Sequence, residues 1–344
     1  MVEILSREIR LKRRPTGMPV EDDFALATVS IPELRPGEVL VRNIYMSVDP
    51  YMRGRMNAGE SYTPPFQIGE PLTGGAVGQV VAALNGRFQA GDYVSSMFGW
   101  REYFVSDGRG LTQVDPRVAP IQAYLGVLGM PGLTAYVGLL DIGRLKAGET
   151  VFVSAASGAV GAVACQIAKI KGCRVIGSAG SPAKVAWLLN EAGVDAAFNY
   201  REVTDLIAEL GRHCPQGIDV YFENVGGAHL EAALQHMNPF GRIAACGMIS
   251  QYNATAPAPG PRNLGLVIGK RLTLQGFISS DHAARQPQFA ADMGQWLAAG
   301  RIKWQETVVE GLERAPQALI GLFKGENAGK MLVKIGPSPV ESER

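Results

Sequence analysis

The first 127 residues contain neither cysteine nor histidine, although these two side chains supply most ligands of catalytic zinc. A domain built from this segment therefore cannot form the usual catalytic zinc site. The histidines, which begin at His213, fall in or beside predicted helices, where we expect surface or packing residues rather than ligands. No paired or metal-like spacing relates the four cysteines, which are Cys165, Cys173, Cys214 and Cys246. Three of them lie in apolar segments, which favours reduced core thiols in a cytoplasmic protein.

The chain also lacks a charge imbalance and an uninterrupted membrane-length apolar run. Its 33 lysines and arginines balance 32 acidic residues, which argues against a nucleic-acid or membrane-surface partner. The charged N-terminus through Arg14 has no signal-peptide core. Two long uncharged stretches, Val118–Leu140 and Thr150–Ala168, are broken by glycine or proline and are rich in small residues. We expect both to be buried elements of a soluble, cytoplasmic protein.

In the stretch Thr150–Ala164, a β-branched apolar run stops at a small-residue turn, and a segment with helical spacing follows at Gln166–Lys171. This pattern predicts a strand, a tight turn and a helix. Such a turn lets backbone N–H groups approach a pyrophosphate at a helix N-terminus. Ala156 takes the place of the usual first glycine, and Gly158 and Gly161 follow. Close packing of a strand on a helix is the alternative explanation for this pattern.

Strand-like and helix-like segments then alternate, which predicts a doubly wound parallel α/β sheet with ligands at the carboxyl ends of its strands. The predicted strands are Cys173–Ala179, Ala196–Tyr200, Ile218–Phe222 and Arg242–Cys246. The predicted helices are Pro182–Ala192, Val203–Leu210 and Leu230–Met237.

The end of the second strand indicates the cofactor. An NAD site usually has Asp or Glu about 20 residues after the glycine turn. This chain has Ser178, Gly180 and Ser181 there, with Lys184 one helical turn on. Hydroxyls and a lysine would hold a 2′-phosphate that a carboxylate would repel, so the sequence predicts NADP(H). A solvated surface lysine is the alternative.

Two domains are predicted. Residues 1–127 form an irregular β domain, with strands at Glu38–Ile44, Gly75–Ala83 and Asp92–Met97, and residues 128–304 form the dinucleotide-binding domain. Residues 305–344 contain a strand, a helix and a strand, the last at Lys330–Ile335, and are expected to complete the first domain.

Motifs along nearly the whole chain resemble those of the zinc-independent medium-chain dehydrogenases/reductases, especially the NADPH-dependent curcumin reductases and the leukotriene B4 12-hydroxydehydrogenase/prostaglandin reductase group. They are Val48–Arg53, Gly126–Gly132 with Thr134–Tyr136, Ala155–Gly161, Glu223–Gly227, Cys246–Tyr252 and Gly325–Lys330. The resemblance implies a GroES-like β domain plus a Rossmann domain, NADP(H) without zinc, and a homodimer formed through edge strands such as Leu272–Ile278. It also implies reduction of a carbon–carbon double bond conjugated to a carbonyl in a small hydrophobic substrate.

The resemblance carries cofactor contacts onto particular positions. The pyrophosphate contacts are Ala159, Val160, Gly161 and Ala162; the 2′-phosphate contacts are Lys184 and Tyr200; and the ribose contact is Asn224. The contacts near the nicotinamide are Cys246, Gly247, Met248, Ile249, Ser250, Tyr252, Phe277, Ile278 and Ser279, and Asn327 is a further contact.

Hydride addition to an enone puts negative charge on the carbonyl oxygen, which requires a hydrogen-bond donor. Tyr252 is the candidate donor, because a phenol stays protonated at neutral pH. The resemblance suggests help from the cofactor's ribose hydroxyl, and Tyr252 could instead only pack on the ribose. Tyr51 and Tyr62 are predicted walls of the substrate pocket. For Arg53 and Arg55 the structural alternative is an ion pair with a residue such as Glu70.

Aromatic and methionine side chains near this region would suit a flat apolar substrate or could belong to the core. They are Met52, Met56, Phe66, Phe98 and Trp100.

Two other functions remain open: a zinc-free NADPH quinone reductase, and an NADPH-binding sensor without turnover.

Overall fold

The computed structural model describes residues 4–337, which form two compact units. Among these residues, one unit contains residues 4–125, Glu306–Asn327 and residues 331–337; the other contains Gly126–Gln305 and Ala328–Lys330. Within residues 4–337, every helix is too short or too polar to span a lipid bilayer.

The strands of the described residues are β1 Leu5–Leu11, β2 Phe24–Ser30, β3 Val39–Ser47, β4 Ala76–Ala83, β5 Tyr93–Ser96, β6 Tyr103–Ser106, β7 Thr112–Gln113, β8 Thr150–Val153, β9 Arg174–Ala179, β10 Ala196–Asn199, β11 Ile218–Glu223, β12 Met237–Ala245, β13 Thr273–Gly276, β14 Glu306–Glu310 and β15 Lys330–Lys334. The α-helices are α1 Tyr51–Arg55, α2 Met130–Val137, α3 Gly161–Ile170, α4 Pro182–Asn190, α5 Leu206–His213, α6 Gly227–His236, α7 Leu266–Gly269, α8 Gln286–Ala298 and α9 Ala315–Lys324. A π-helical turn, Gly138–Ile142, continues α2, and short 3₁₀ turns include Ile121–Leu125, Tyr200–Glu202, Ile249–Gln251 and Ser279–Arg285.

The first unit is a β structure built around β3. Its main sheet runs β14-β15-β3-β4-β5-β7, β6 also pairs with β3, and β1 pairs separately with β2. The last strand returns to the N-terminal sheet, because Leu332 of β15 lies antiparallel to Ser47 of β3.

The methionine and aromatic side chains that could have lined a substrate site mostly fill the core of this unit. Met52, Met56, Phe66 and Trp100 are buried in one apolar cluster with side chains of α9. The alternative assignment of these four residues to the core is therefore the correct one.

The second unit is a Rossmann fold. Its six strands are parallel in the order β10-β9-β8-β11-β12-β13. The order reverses between β8 and β11, and ligands of such sheets bind at the carboxyl ends of the strands beside this switch point. The α/β fold class predicted from the alternation and the resemblance is confirmed.

Local capping moves some element boundaries away from their predicted positions. Helix α5 begins at Leu206 rather than Val203, because the Asp205 carboxylate accepts a hydrogen bond from the Ala208 N–H at 3.0 Å and caps the helix. Helix α6 begins at Gly227 rather than Leu230, directly after Gly226, whose φ is +75°. The loop between β11 and α6 is therefore short and tightly held.

Candidate active site

The turn after β8 leaves no room for a side chain at its last glycine. A Cβ on Gly161 would lie 2.4 Å from the carbonyl oxygen of Ala155 and 2.8 Å from the Cα of Ala156. Gly177 on the neighbouring strand has no Cβ to collide with the methyl group of Ala156, which explains why alanine is accepted at the first-glycine position. The turn before α3 therefore consists of closely packed backbone and small side chains, and the Ala162 N–H donates to the Gly158 carbonyl at 2.9 Å.

Gly329, near the end of the Gly325–Lys330 motif, packs against the same turn. Gly329 pairs with Gly158 in an isolated bridge, and its N–H donates to the Ser157 carbonyl at 3.2 Å. Its φ of +66° and the closeness of Gln305 permit only glycine there. A small hollow beside the turn is lined by residues that include Ala159, Ala162 and Lys330. Asn327, predicted to contact the cofactor, is buried.

At the end of β9, a set of polar side chains converges. The Ser181 hydroxyl caps α4 by accepting from the Lys184 N–H at 3.4 Å. The Tyr200 hydroxyl and the Arg201 Nε lie 3.1 and 3.3 Å from where a Cβ on Gly180 would be. Burial, and then the positive charge of Arg201, lower the pKa of Lys184. These features describe a cationic site with an aromatic wall, suited to a phosphate.

Arg201 is the residue of this site that sequence reasoning missed, although it directly follows Tyr200. Its guanidinium lies 6.0 Å from the Tyr200 ring centroid. The expected role of the Ser178 hydroxyl does not fit, because this side chain is fully buried.

Glu223, at the end of β11, organises the loop at the other side of the switch point. One of its carboxylate oxygens accepts from the Ser154 hydroxyl at 3.0 Å and from the N–H groups of Val225 and Gly226 at 2.6 and 2.9 Å. Burial raises the pKa of this carboxyl. Asn224 is fixed as well, since its side-chain amide donates to the Ser154 carbonyl at 2.7 Å. The predicted ribose contact thus lies on a rigid loop.

The segment after β12 is tied to this loop through its backbone. The N–H groups of Cys246 and Gly247 donate to the Glu223 carbonyl, and those of Ile249 and Ser250 donate to the carbonyls of Asn224 and Val225. Burial raises the pKa of the Cys246 thiol to about 12. This thiol is therefore a neutral packing group.

Tyr252 folds back over its own loop. Its phenolic oxygen accepts a hydrogen bond from the Met248 N–H at 3.2 Å, which leaves the hydroxyl hydrogen for another acceptor. Burial raises the pKa of the phenol, so it stays protonated at neutral pH. Together these features make Tyr252 a half-buried hydrogen-bond donor at the carboxyl edge of the sheet.

The residues after β13 have a packing role. The Phe277 ring meets Phe222 edge to face at 6.3 Å between centroids, and a Cβ on Gly138 would collide with both rings. Ile278 and Ser279 follow directly, and all three side chains are half-buried.

The predicted substrate residues of the first unit differ in their surroundings. Burial, and then the nearby Asp49 carboxylate, raise the pKa of Tyr51. Tyr62 is 63% exposed. Both remain predicted wall residues.

The two arginines near Tyr51 support loops, and their contacts in the described residues do not include the suggested ion pair with Glu70. Arg53 is buried and donates to the Gly17 carbonyl at 3.0 Å and to the Asn57 side chain at 2.7 Å. Arg55 stacks over Phe66 at 4.0 Å and donates to the Thr73 hydroxyl and the Pro64 carbonyl, each at 2.9 Å.

His229, in the first turn of α6, is a buried titratable group beside the cationic site. Its ring meets the Tyr200 ring edge to face at 5.1 Å, and its Nε2 has no hydrogen-bond partner among the described residues. Burial lowers its pKa to about 4. His229 is therefore neutral at pH 7, in line with the expectation of a packing histidine.

This pKa shift makes stability depend on pH. An unfolded histidine titrates at about 6.5, so between pH 6.5 and 4 the unfolded chain binds a proton that the folded chain does not, and stability falls with pH. His229→Phe removes this loss. The unfolding free energy of the variant minus that of wild type should be about 2 kcal/mol larger at pH 5 than at pH 7. Urea unfolding of both proteins at pH 7 and at pH 5 measures this change. The same difference between variant and wild type at the two pH values would contradict the prediction.

The site fits NADP(H) on its own chemistry. The backbone-lined turn at Gly161 suits a pyrophosphate, and the cationic site of Lys184 and Arg201 suits a 2′-phosphate. Asn224 lies between these regions and Tyr252 along the carboxyl edge of the sheet.

Comparison with known proteins defines the class. A family model described as the N-terminal domain of oxidoreductase matches residues 7–114, and one described as zinc-binding dehydrogenase matches residues 159–298. With the relatives below, these matches show that the chain belongs to the medium-chain dehydrogenase/reductase family.

Particular relatives are similar over nearly the full length. The chain is 45% identical to the NADP⁺-dependent 2-alkenal reductase of Nicotiana tabacum, over 97% of this chain and 98% of that protein. It is 44% identical to the NADPH-dependent curcumin reductase of Escherichia coli, over 94% and 95%. The crystal structure of CurA from Vibrio vulnificus in complex with NADPH is 46% identical, with a TM-score of 0.91, over 96% of this chain and 99% of that one. The chain is an NADP-dependent oxidoreductase.

Independence from zinc stays a prediction for this chain. Within residues 4–337, no group of three or more His, Cys, Asp or Glu side chains is arranged to hold a metal ion. We expect dialysis against EDTA to leave kcat unchanged and metal analysis to find far less than one zinc per chain. Loss of activity that added zinc restores would overturn this prediction.

Proposed function

We propose that the enzyme reduces the carbon–carbon double bond of small hydrophobic α,β-unsaturated ketones and aldehydes, with hydride addition at the β-carbon. The observation that carries the proposal is the Tyr252 phenol, protonated and half-buried, whose oxygen is held by the Met248 N–H. The similarity to alkenal and curcumin reductases supports this choice of substrate class.

Tyr252 acts on the carbonyl end of the substrate. When bound, NADPH supplies the hydride. Negative charge then develops on the carbonyl oxygen, and the Tyr252 hydroxyl donates a hydrogen bond to it. The Met248 N–H orients this hydroxyl, and a proton taken up from water at the α-carbon completes the reduction.

The other residues hold the cofactor and enclose the substrate. We assign the pyrophosphate to the backbone of Ala159–Ala162, the 2′-phosphate to Lys184 and Tyr200, and the ribose to Asn224. Residues 246–252 and 277–279 surround the nicotinamide, Asn327 is a further contact, and Tyr51 and Tyr62 line the substrate pocket.

The test is consumption of NADPH and of NADH at 340 nm with four substrates: an alkenal, a linear enone, a diarylheptanoid such as curcumin, and a quinone. We expect NADPH to be consumed with the first three and the products to have lost the conjugated double bond. A higher kcat/KM for the quinone would replace the proposal by a quinone reductase. Binding of NADPH without turnover of any of the four substrates would replace the proposal by an NADPH-binding sensor.

We also propose a cytoplasmic homodimer formed through β13. This strand ends the parallel sheet, so one of its edges pairs with no strand among the described residues. The residues of β13 are exposed, and so is Ile268 of α7. An open edge strand is a template for pairing with a second copy.

Light scattering at working concentration should give the mass of two chains. Leu274→Pro should give one, because proline removes a backbone donor from the edge. A monomeric wild type would contradict the proposal.

A further inference from the structure

The Tyr200 side chain needs external support to serve a phosphate site. It follows directly after β10, at the start of a short 3₁₀ turn, and its ring is only partly buried against the core of the second unit. A ring in this position can rotate about its side-chain bonds unless neighbouring groups fix it. The direction of its hydroxyl depends on what holds the ring.

Three residues surround Tyr200: Gly180, Arg201 from its own turn, and His229. The Tyr200 hydroxyl lies next to the Gly180 backbone: a Cβ added to Gly180 would be 3.1 Å from the hydroxyl oxygen. The Arg201 guanidinium lies 6.0 Å from the ring centroid. The His229 ring meets it at 5.1 Å with an interplanar angle of 78°. This edge-to-face geometry is the favourable one for aromatic pairs and fixes the relative orientation of the rings.

His229 itself is rigid. It is 5% exposed, it lies in the first turn of α6, and its backbone N–H donates to the Gly226 carbonyl at 3.2 Å. The preceding loop is anchored by Glu223, which binds the N–H groups of Val225 and Gly226. Because Nε2 has no partner in the described part of the chain, the ring contributes shape rather than a hydrogen bond.

We propose that His229 is a positioning residue that holds the Tyr200 ring over Gly180 and thereby sets the preference for a 2′-phosphorylated adenosine over adenosine with a free 2′-hydroxyl. The proposal rests on the assignment of the 2′-phosphate to Lys184 and Tyr200 made above. It predicts that the aromatic ring of residue 229 matters and that its nitrogen atoms do not.

The test measures binding without any carbonyl substrate, so it does not depend on the reductase activity. Dissociation constants for NADPH, NADH and adenosine 2′,5′-bisphosphate are measured by calorimetry for wild type, His229→Leu and His229→Phe. An edge-to-face aromatic pair corresponds to a change of about 2- to 13-fold. His229→Leu should therefore weaken NADPH and the bisphosphate about 5-fold and leave NADH unchanged. His229→Phe should restore wild-type values.

His213→Leu is the matched control. Its ring stacks on Phe198 in the same unit at 5.3 Å, and its Nε2 lies 3.1 Å from a Glu209 carboxylate oxygen. The substitution removes a histidine ring contact that does not involve Tyr200, so the preference for NADPH should not change. If His229→Leu does not fold, as judged by circular dichroism, His229→Met replaces it with the same expectation.

Three results would overturn the proposal. They are equal weakening of NADPH and NADH in His229→Leu, unchanged constants in that variant, and failure of His229→Phe to restore them. A wild type without preference for NADPH would overturn it together with the 2′-phosphate assignment. Failure of enone turnover alone, with these binding constants as expected, would remove only the proposed reaction.

Discussion

Tyr252→Phe is expected to lower kcat for enone reduction by about 100-fold, the usual effect of losing one donor to a developing oxyanion. The Kd for NADPH should change by less than about 2-fold, because the phenol is assigned to the substrate carbonyl and the aromatic ring is retained. The variant loses only the hydroxyl that accepts from the Met248 N–H. Single-turnover oxidation of NADPH with an alkenal, together with NADPH titration, separates the two effects.

The control for this variant is Tyr124→Phe. It also removes one phenolic hydroxyl, which donates a hydrogen bond to the Asp115 carbonyl at 3.0 Å. Neither Tyr124 nor Asp115 is an assigned site residue, so kcat should stay at the wild-type value. An unchanged kcat in Tyr252→Phe would reject the donor role. Equal losses in kcat and NADPH affinity would favour a residue that only packs on the cofactor.

Gly161→Ala is expected to have the largest effect on cofactor binding. The added methyl group would lie 2.4 Å from the Ala155 carbonyl oxygen, and backbone on both sides must shift to admit it. Overpacking of this kind costs about 1–3 kcal/mol of unfolding free energy. The shift moves the N–H groups assigned to the pyrophosphate, so we expect the Kd for NADPH to rise at least about 100-fold, from the loss of about 3 kcal/mol of binding free energy.

Gly294→Ala is the matched control, because nothing lies within 4 Å of a Cβ at this position in α8. It should bind NADPH normally and should be slightly more stable, since alanine favours a helix over glycine. Urea unfolding and NADPH titration of both variants give the comparison. Normal NADPH binding by Gly161→Ala would show that the turn does not hold the cofactor.

The alternation of strands and helices in the second unit could be predicted because its strands are short apolar runs separated by helical segments, although α5 continues through Gly211 to His213. The first unit was harder. Strand β1 escaped prediction because polar side chains occupy buried positions in it, with Ser6 and Glu8 both enclosed and Glu8 paired with Arg10 at 2.6 Å. Such a strand shows no alternation of apolar and polar residues.

The candidate site divides in the same way. Glycines with a steric function, such as Gly161, and the missing carboxylate after β9 could be identified from residue type and position alone. Arg201 and His229 could not, because their significance comes from contacts with Lys184 and Tyr200 on other elements.

The sequence by itself determined the Rossmann alternation, the glycine turn, the cofactor class and Tyr252 as candidate donor, because each depends on residue type and local spacing. Only the tertiary structure decided that Met52 and Trp100 belong to the core, that Arg53 supports a loop, and that His229 meets Tyr200. The type of an apolar or charged residue does not by itself show whether its side chain faces a core, a pocket or solvent. The strand register and the rotation of each helix decide which of these surroundings it has.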